Sequence, residues 1–404
     1  MTTRRKFLQG AAMAVAASPL RVALAAAPTD KRFVVVILRG GLDGLAAVPP
    51  YADRDYVGLR GPLAIAPPGK ADGALDLDGR FGLHPALAPL HAFYSRRELL
   101  FIHAVASPYR SRSHFDGQDL LENGTDTPHG TGDGWLNRAL ALLGTDSDRR
   151  LGLSVGMSVP LLLRGKVPVA AWAPTQLPEP EEGFLRRVAA LYRRDAVLGP
   201  ALAEGMKAHN MNESVLDSEP SMGGRRARNG NDSRAFAIAA KSVAKLLAAK
   251  DGPRIAVLEL GGWDTHSAQG ATGGRLAAPL AQLAEGLTEF AAASGPAGSD
   301  TAIVVATEFG RTVAANGTGG TDHGTGGVAF LLGGAVAGGR VAGTWPGLSA
   351  NALFEGRDLA PTTDLRSVFK GLLGGHLGLP ADALERVIFP NSREAPPLSG
   401  MLRA

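Results

Sequence analysis

An α/β fold, with a mostly parallel sheet carrying helices on both faces, is what this sequence of 404 residues predicts. Three observations predict it. Short continuous apolar runs rich in β-branched residues recur along the chain, as strands buried on both faces require. Segments of helical periodicity fill the gaps between them. The composition, 45% hydrophobic and 20% charged, is that of a globular chain and excludes wholesale disorder. Glycine is abundant at 53 residues but has no G-X-Y period, so collagen is excluded and many tight turns are expected.

The first segment is an address rather than a fold element. Thr3-Arg4-Arg5-Lys6-Phe7-Leu8-Gln9 precedes an apolar run at 10–17, and Ala23-Leu24-Ala25 is a small-x-small cleavage signal. This is a secretory layout, and the paired arginines with Phe7 and Leu8 make it the twin-arginine version. Residues 1–25 should be removed after passage through the twin-arginine translocase, leaving a periplasmic or secreted chain that starts at Ala26. No later run reaches the ~18 uncharged apolar residues of a membrane span. The chain has no cysteine, so disulfides play no part despite export. The formal charge of +4 also traces to this segment: without Arg4, Arg5, Lys6 and Arg21, 38 basic residues face 38 acidic ones. A neutral body has no electrostatic footprint for nucleic acid.

Strands follow at 33–38, 99–102, 254–260, 301–306 and 328–332. Leu83, Leu87, Leu90 and Tyr94 share one helical face, as do Leu276, Leu280, Leu283 and Leu287. Ser233 is placed to cap a helix over 235–249, and Thr363 one over 365–373. Residues 208–232 are polar, glycine-rich and arginine-rich, and read as a flexible loop within one domain, 26–404, because strands of the same type flank them.

Ligands bind beyond the carboxyl ends of strands in such sheets, and the strand ends here carry a consistent polar set. The first strand runs into Arg39-Gly40-Gly41-Leu42-Asp43, and the strand at 254–260 supplies Glu259 and then Trp263-Asp264-Thr265-His266. Thr307-Glu308-Phe309-Gly310-Arg311 follows the strand at 301–306, and Thr321-Asp322-His323 precedes the one at 328–332. Asp43, Glu259, Asp264, His266, Glu308, Asp322 and His323 are therefore candidate ligands for a divalent metal. Zn²⁺ and Mn²⁺ suit imidazoles with carboxylates, while Mg²⁺ and Ca²⁺ suit the carboxylates alone. The segment after 99–102 contains Ser111-Arg112-Ser113-His114, and Ser113 near a first helical turn meets free amide donors that favour an anion. Ser111 competes for that role. His114 is expected to orient the serine or the substrate, and Arg311 or Arg39 to balance charge on substrate oxygens.

Taken together, the twin-arginine start, Leu-Arg-Gly-Gly-Leu-Asp-Gly-Leu at 38–45, Arg-Ser-His-Phe-Asp at 112–116, Gly-Gly-Trp-Asp-Thr-His at 261–266, Thr-Glu-Phe-Gly-Arg-Thr at 307–312 and Asp-His-Gly at 322–324 resemble the bacterial family named domain of unknown function 1501. That family is placed in the alkaline-phosphatase-like superfamily, with sulfatases and cofactor-independent phosphoglycerate mutases. The resemblance implies a three-layer sandwich, a two-metal site and a nucleophilic hydroxyl. It implies that Asp43 bridges to the metals, that Ser113 is the nucleophile, and that Glu259, Asp264, His266, Glu308 and His323 are ligands. Phe309 stands where the superfamily has a histidine beside the acid. Asp322-His323 is the other candidate for that pair, which would move the remaining assignments by one strand.

The expected function is an exported metal-dependent hydrolase of phosphate or sulfate esters, on small molecules or polymers, acting through a serine nucleophile. Without cysteine, formylglycine chemistry is excluded. The alternative is a non-catalytic exported binding or assembly protein that keeps the fold.

Overall fold

The computed structural model describes residues 30–144, 151–156, 158–172, 182–193, 195, 202–203 and 234–403. The expected export segment 1–25, the expected flexible loop 208–232 and the expected cap Ser233 lie outside them.

Among the described residues, nine strands form one sheet: β1 Arg32–Leu38, β2 Leu99–Ala106, β3 Gly152–Val155, β4 Ala170–Trp172, β5 Ile255–Leu260, β6 Thr301–Thr307, β7 Gly327–Leu332, β8 Arg340–Ala342 and β9 Thr363–Asp364. Their order is β8-β2-β7-β6-β1-β5-β3-β4, with β9 alongside β2. The five long apolar runs are all strands, as expected, and β1 lies at the centre, parallel to β5 and β6. One strand departs from the parallel pattern: β7 runs antiparallel to both β2 and β6. That reversal brings the residues preceding β7 to the end of the sheet where β1, β5 and β6 run out. Asp322 and His323 thereby meet Asp264 and His266.

Side-chain alternation in the strands gives each face its own core. Val34, Val36 and Leu38 pack with helices α3 (Ala88–Ser95), α6 (Ala235–Ala248) and α7 (Ala277–Ser294). Phe33, Val35 and Ile37 pack with α5 (Trp135–Leu142) and α8 (Leu365–Leu377) on the other side. Three shorter elements matter below: α1 (Gly44–Ala47), α2 (Tyr56–Arg60) and the longer α4 (His114–Asn123). This is the three-layer sandwich that the alkaline-phosphatase-like resemblance implies. No helix among the described residues is long and apolar enough to cross a membrane.

Two local expectations are corrected. Leu83 lies on the short strand Gly82–Leu83 and Leu87 in the 3-10 turn Pro85–Leu87, so of that apolar face only Leu90 and Tyr94 belong to α3. Pro85 and Pro89 donate no N–H and hold φ near its helix-start value, which sets the beginning of the turn and of the helix where they stand. The residue capping α8 is Asp364, not Thr363, since the Asp364 carboxylate accepts from Arg366 N at 2.8 Å. Helix α6 starts at Ala235 as expected, with Arg234 at its N-cap position.

Gly310, between Phe309 and Arg311, exchanges backbone hydrogen bonds with Gly324 and Thr325, and a Cβ there would collide with the carbonyl of Gly326. Gly310→Ala should therefore cost about 1–3 kcal/mol through backbone displacement. Gly58→Ala, in α2 with open space around its Cα, should be neutral or slightly stabilising. Chemical denaturation of the two variants beside wild type checks the difference.

Candidate metal centre

Four side chains converge beyond the carboxyl ends of the central strands. Asp264 and His266 come from the loop after β5, His323 from the loop before β7, and His114 opens α4. Asp264 Oδ1 lies 3.0 Å from His266 Nε2 and 3.3 Å from His323 Nε2, and its Oδ2 lies 3.5 Å from His114 Nε2. The Nε2 atoms of His266 and His323 are only 2.9 Å apart.

The opposite ring nitrogens are all engaged. His114 Nδ1 donates to Glu308 Oε1 at 2.8 Å, His266 Nδ1 to Asp322 Oδ1 at 3.1 Å, and His323 Nδ1 to the Arg112 carbonyl at 2.9 Å. Carboxylate and carbonyl oxygens only accept, so each Nδ1 carries the proton and each Nε2 presents its lone pair. Two lone pairs 2.9 Å apart require a proton or a cation between them. His114 Nε2 is buried and, among the described residues, has no hydrogen-bond partner. Imidazole nitrogens and a carboxylate, with each imidazole oriented by an acceptor behind it, are a donor set that fits a divalent metal of the Zn²⁺ type.

Local backbone geometry assembles the set. Gly40 has φ +126°, and a Cβ there would come within 2.7 Å of Asp264 N, so the end of β1 and the Asp264 loop touch backbone to backbone. Arg112 adopts φ +61°, rare for a residue with a side chain, and so supplies the carbonyl that receives His323. Its guanidinium is fixed by Asp358 Oδ2 at 2.8 Å and Glu355 Oε2 at 2.5 Å, which holds the strained conformation. Phe309 packs its ring 4.9 Å from that of His114 and 5.0 Å from that of His323, an apolar wall fixing both imidazole planes.

Electrostatics follow from these partners. The Glu308 hydrogen bond raises the His114 pKa above its ordinary value, against the effect of burial. Burial lowers that of His323. Burial pushes Asp264 upward, but Arg311 at 2.6 Å and the neighbouring imidazoles outweigh it and hold the carboxyl below its usual range. The same opposition depresses Glu308, whose burial is overcome by hydrogen bonds from His114, Gln118 and Thr307.

Of the seven candidate metal ligands in the sequence, Asp264, His266 and His323 meet in one cluster. The other four have different work. Asp43 is buried at the N-cap of α1: Oδ1 accepts from Leu45 N and Ala46 N, and Oδ2 from Arg60 at 2.5 Å and Gln269 at 2.7 Å. No lone pair faces the cluster. Glu259 pairs with Arg39, which also holds Glu122 at 2.5 Å. Glu308 and Asp322 stand behind the imidazoles as their acceptors. Arg311 does not face a substrate either: it is buried, with Nε on Thr321 Oγ1, Nη2 on the Thr321 carbonyl and Nη1 on Asp264. His114, expected to orient a serine or substrate, instead aims Nε2 into the cluster. Ser113 occupies the N-cap position of α4 without making a side-chain capping bond. Arg60 and Gln269 carried no motif, and only the burial of a polar side chain in an apolar context could have signalled them; Arg112 opens the motif at 112–116, but nothing in it marks the carbonyl that receives His323.

A family model described as "Protein of unknown function (DUF1501)" matches residues 102–388. No curated protein matches the chain. Among solved structures it is similar to the C-terminal periplasmic domain of EcEptC from Escherichia coli in complex with Zn, at 10% identity and TM-score 0.37 over 90% of this chain and 87% of that one. It is similar also to a 2-O GAG sulfatase (11%, TM-score 0.33, 87% and 72% covered) and to the phosphonate monoester hydrolase of Agrobacterium radiobacter (13%, TM-score 0.32, 87% and 74%). At such scores no residue role passes from them to this chain.

Since the carboxylate of Glu308 is what raises His114, Glu308→Gln should lower the His114 pKa toward the ordinary histidine value. An NMR titration of the ring protons in metal-free protein reads this. An unchanged or raised value would contradict the pairing.

Proposed function

The chain belongs to the DUF1501 family, and from that premise we propose that it is an exported hydrolase of phosphate or sulfate esters using Ser113 and one divalent metal. The observation that carries the reading is the convergence of Asp264 with His114, His266 and His323, each imidazole oriented through Nδ1. One metal rather than two is proposed because Asp43 and Glu259, two of the acids expected among the ligands, are neutralised by Arg60 and Arg39.

When bound, a divalent cation supplies positive charge that eases ionisation of a nearby hydroxyl and offsets charge on the ester oxygens. The remaining work belongs to the chain. His114, Asp264 and His323, with His266 beside them, would hold the cation, and Glu308 and Asp322 keep the imidazoles of His114 and His266 in the binding tautomer. Ser113, next to His114 and at the open amides of α4, attacks phosphorus or sulfur as its proton leaves. The ester oxygen departs with a proton, and water then cleaves the seryl ester and restores the hydroxyl. Arg39 and Arg311 are committed to carboxylates and are not assigned to substrate.

A second reading, a non-catalytic exported binding or assembly protein, is favoured by the same two arginine pairings, since a two-cation clamp has no place to form. Purified mature protein should contain about one equivalent of Zn²⁺ or Mn²⁺. His114→Ala, Asp264→Ala, His266→Ala and His323→Ala should each lower affinity by more than the roughly 10–100-fold lost with an outer hydrogen-bond partner. Ser113→Ala should retain metal while turnover of aryl phosphate or sulfate falls by about 10³-fold or more, with Ser111→Ala much milder. Metal with no turnover of either ester class selects the second reading. No metal under chelator-free preparation defeats the hydrolase reading.

Export is proposed to follow the twin-arginine route, with the mature chain starting at Ala26 in the periplasm. Joint Arg4→Lys and Arg5→Lys substitution should leave precursor in the cytoplasm. Unimpaired export, or loss only when the general secretory route is blocked, contradicts it.

A further inference from the structure

A buried polar chain leads away from the cluster, and the metal-site reading does not use it. Arg60 donates to Asp43 Oδ2 at 2.5 Å, and Gln269 Nε2 donates to the same oxygen at 2.7 Å. Gln269 Oε1 accepts from two hydroxyls, Thr265 Oγ1 and Thr321 Oγ1, each at 2.8 Å. Thr321 Oγ1 in turn accepts from Arg311 Nε at 3.1 Å, and Arg311 Nη1 donates to Asp264 Oδ1 at 2.6 Å. Asp43, Arg60, Thr265, Gln269, Thr321 and Arg311 each have a relative exposure of 1% or less, so water does not stand in for the bonds among them.

The polarity of every link is dictated by the first. A carboxylate only accepts, so Gln269 must turn its NH₂ toward Asp43 and its carbonyl toward the threonines. That carbonyl also only accepts, so both hydroxyls donate to it. Thr321, having given up its one proton, is left as acceptor for Arg311. The two threonines are well placed to transmit this order. Thr265 lies between Asp264 and His266, and Thr321 lies directly before Asp322 and His323. One amide oxygen thus ties together the two loops that bring three of the four converging side chains.

We propose that Gln269, anchored on the Asp43–Arg60 pair, is a positioning residue that sets the spacing and orientation of Asp264, His266 and His323. The proposal rests on the metal-site reading above, and its test separates the two. Mature wild-type chain, Gln269→Met, Thr321→Val and the double variant are titrated with Zn²⁺ against a chromophoric chelator, and with Co²⁺ followed by visible absorption. Each single variant should bind Zn²⁺ about 10–100-fold more weakly and shift the Co²⁺ bands. The double variant should fall little further, as residues acting through one contact do. Affinity within about twofold of wild type with unchanged bands overturns the proposal, as do losses that simply add.

Ring ¹⁵N signals of metal-free protein read the linkage independently. His266 and His323 should both keep Nδ1 protonated in wild type, with one further proton shared between their Nε2 atoms, and should exchange protons between the two ring nitrogens in Gln269→Met. If wild type takes up no metal, the functional reading fails, and ring signals unchanged by the substitution then overturn the positioning role as well. Where Gln269→Met does not fold, Thr321→Ser is set beside Thr321→Val. The serine hydroxyl should restore wild-type ring signals and affinity, and equal losses in both overturn the proposal.

Discussion

Like charges gathered at one end of a sheet repel, and the architecture of this molecule depends on how that repulsion is cancelled. Asp43, Glu259, Asp264 and Glu308 all leave the central strands on the same side. Each has been given a different cation or donor. Arg60 neutralises Asp43 in full burial, Arg39 bridges Glu259 and Glu122, and Arg311 holds Asp264. Glu308, itself buried, gathers Gly40 N, His114, Gln118 and Thr307. A buried charge without such a partner would be strongly destabilising. After these pairings, among the described residues at this end of the sheet, Asp264 and the imidazoles still face one another with lone pairs to offer, which is why the site contracts to one small cluster.

The parts of this design that are local in the chain were legible in the sequence. Five apolar runs announce five strands because a strand buried on both faces must be apolar at every position. Asp264-Thr265-His266 and Asp322-His323 were legible as chemistry because acids and imidazoles among glycines just beyond strands are hard to explain by packing. Strand direction was not legible: nothing in the residues of β7 distinguishes an antiparallel strand from a parallel one, yet its reversal carries His323 to the site. Nor was the fate of Asp43. Its partners, Arg60 on a five-residue helix and Gln269 in a loop, lie 17 and 226 residues away and share no pattern with it.

Phe309 illustrates how a departure from an expected motif can be absorbed. A histidine beside the acid of β6 would have formed an acid–imidazole pair within the chain. Here the imidazole is His114, delivered by α4 from 194 residues away and bonded to the same Glu308 at 2.8 Å. The phenyl ring at 309 then serves a purpose a second imidazole could not. It closes the floor beneath His114 and His323 with an apolar surface, leaving those rings no competing hydrogen-bond partner on that side. The acid–imidazole pairing survives through space although the sequence motif does not.

The cluster has a wet front and a dry back, and that asymmetry is its main energetic feature. Asp264 and His266 keep side-chain exposures of 42% and 44%, so a ligand can reach them. Behind them Asp43, Arg60, Gln269, Thr321 and Arg311 are excluded from water. Ordering a flexible polar side chain costs roughly 1–2 kcal/mol. In this molecule that cost falls on folding, where the buried network and the strained Arg112 carbonyl fix the ligating groups before anything binds. A site so prepared loses little conformational entropy on binding, which raises affinity without adding contacts. It also tolerates little displacement, because every hydrogen bond behind it has a single permitted direction.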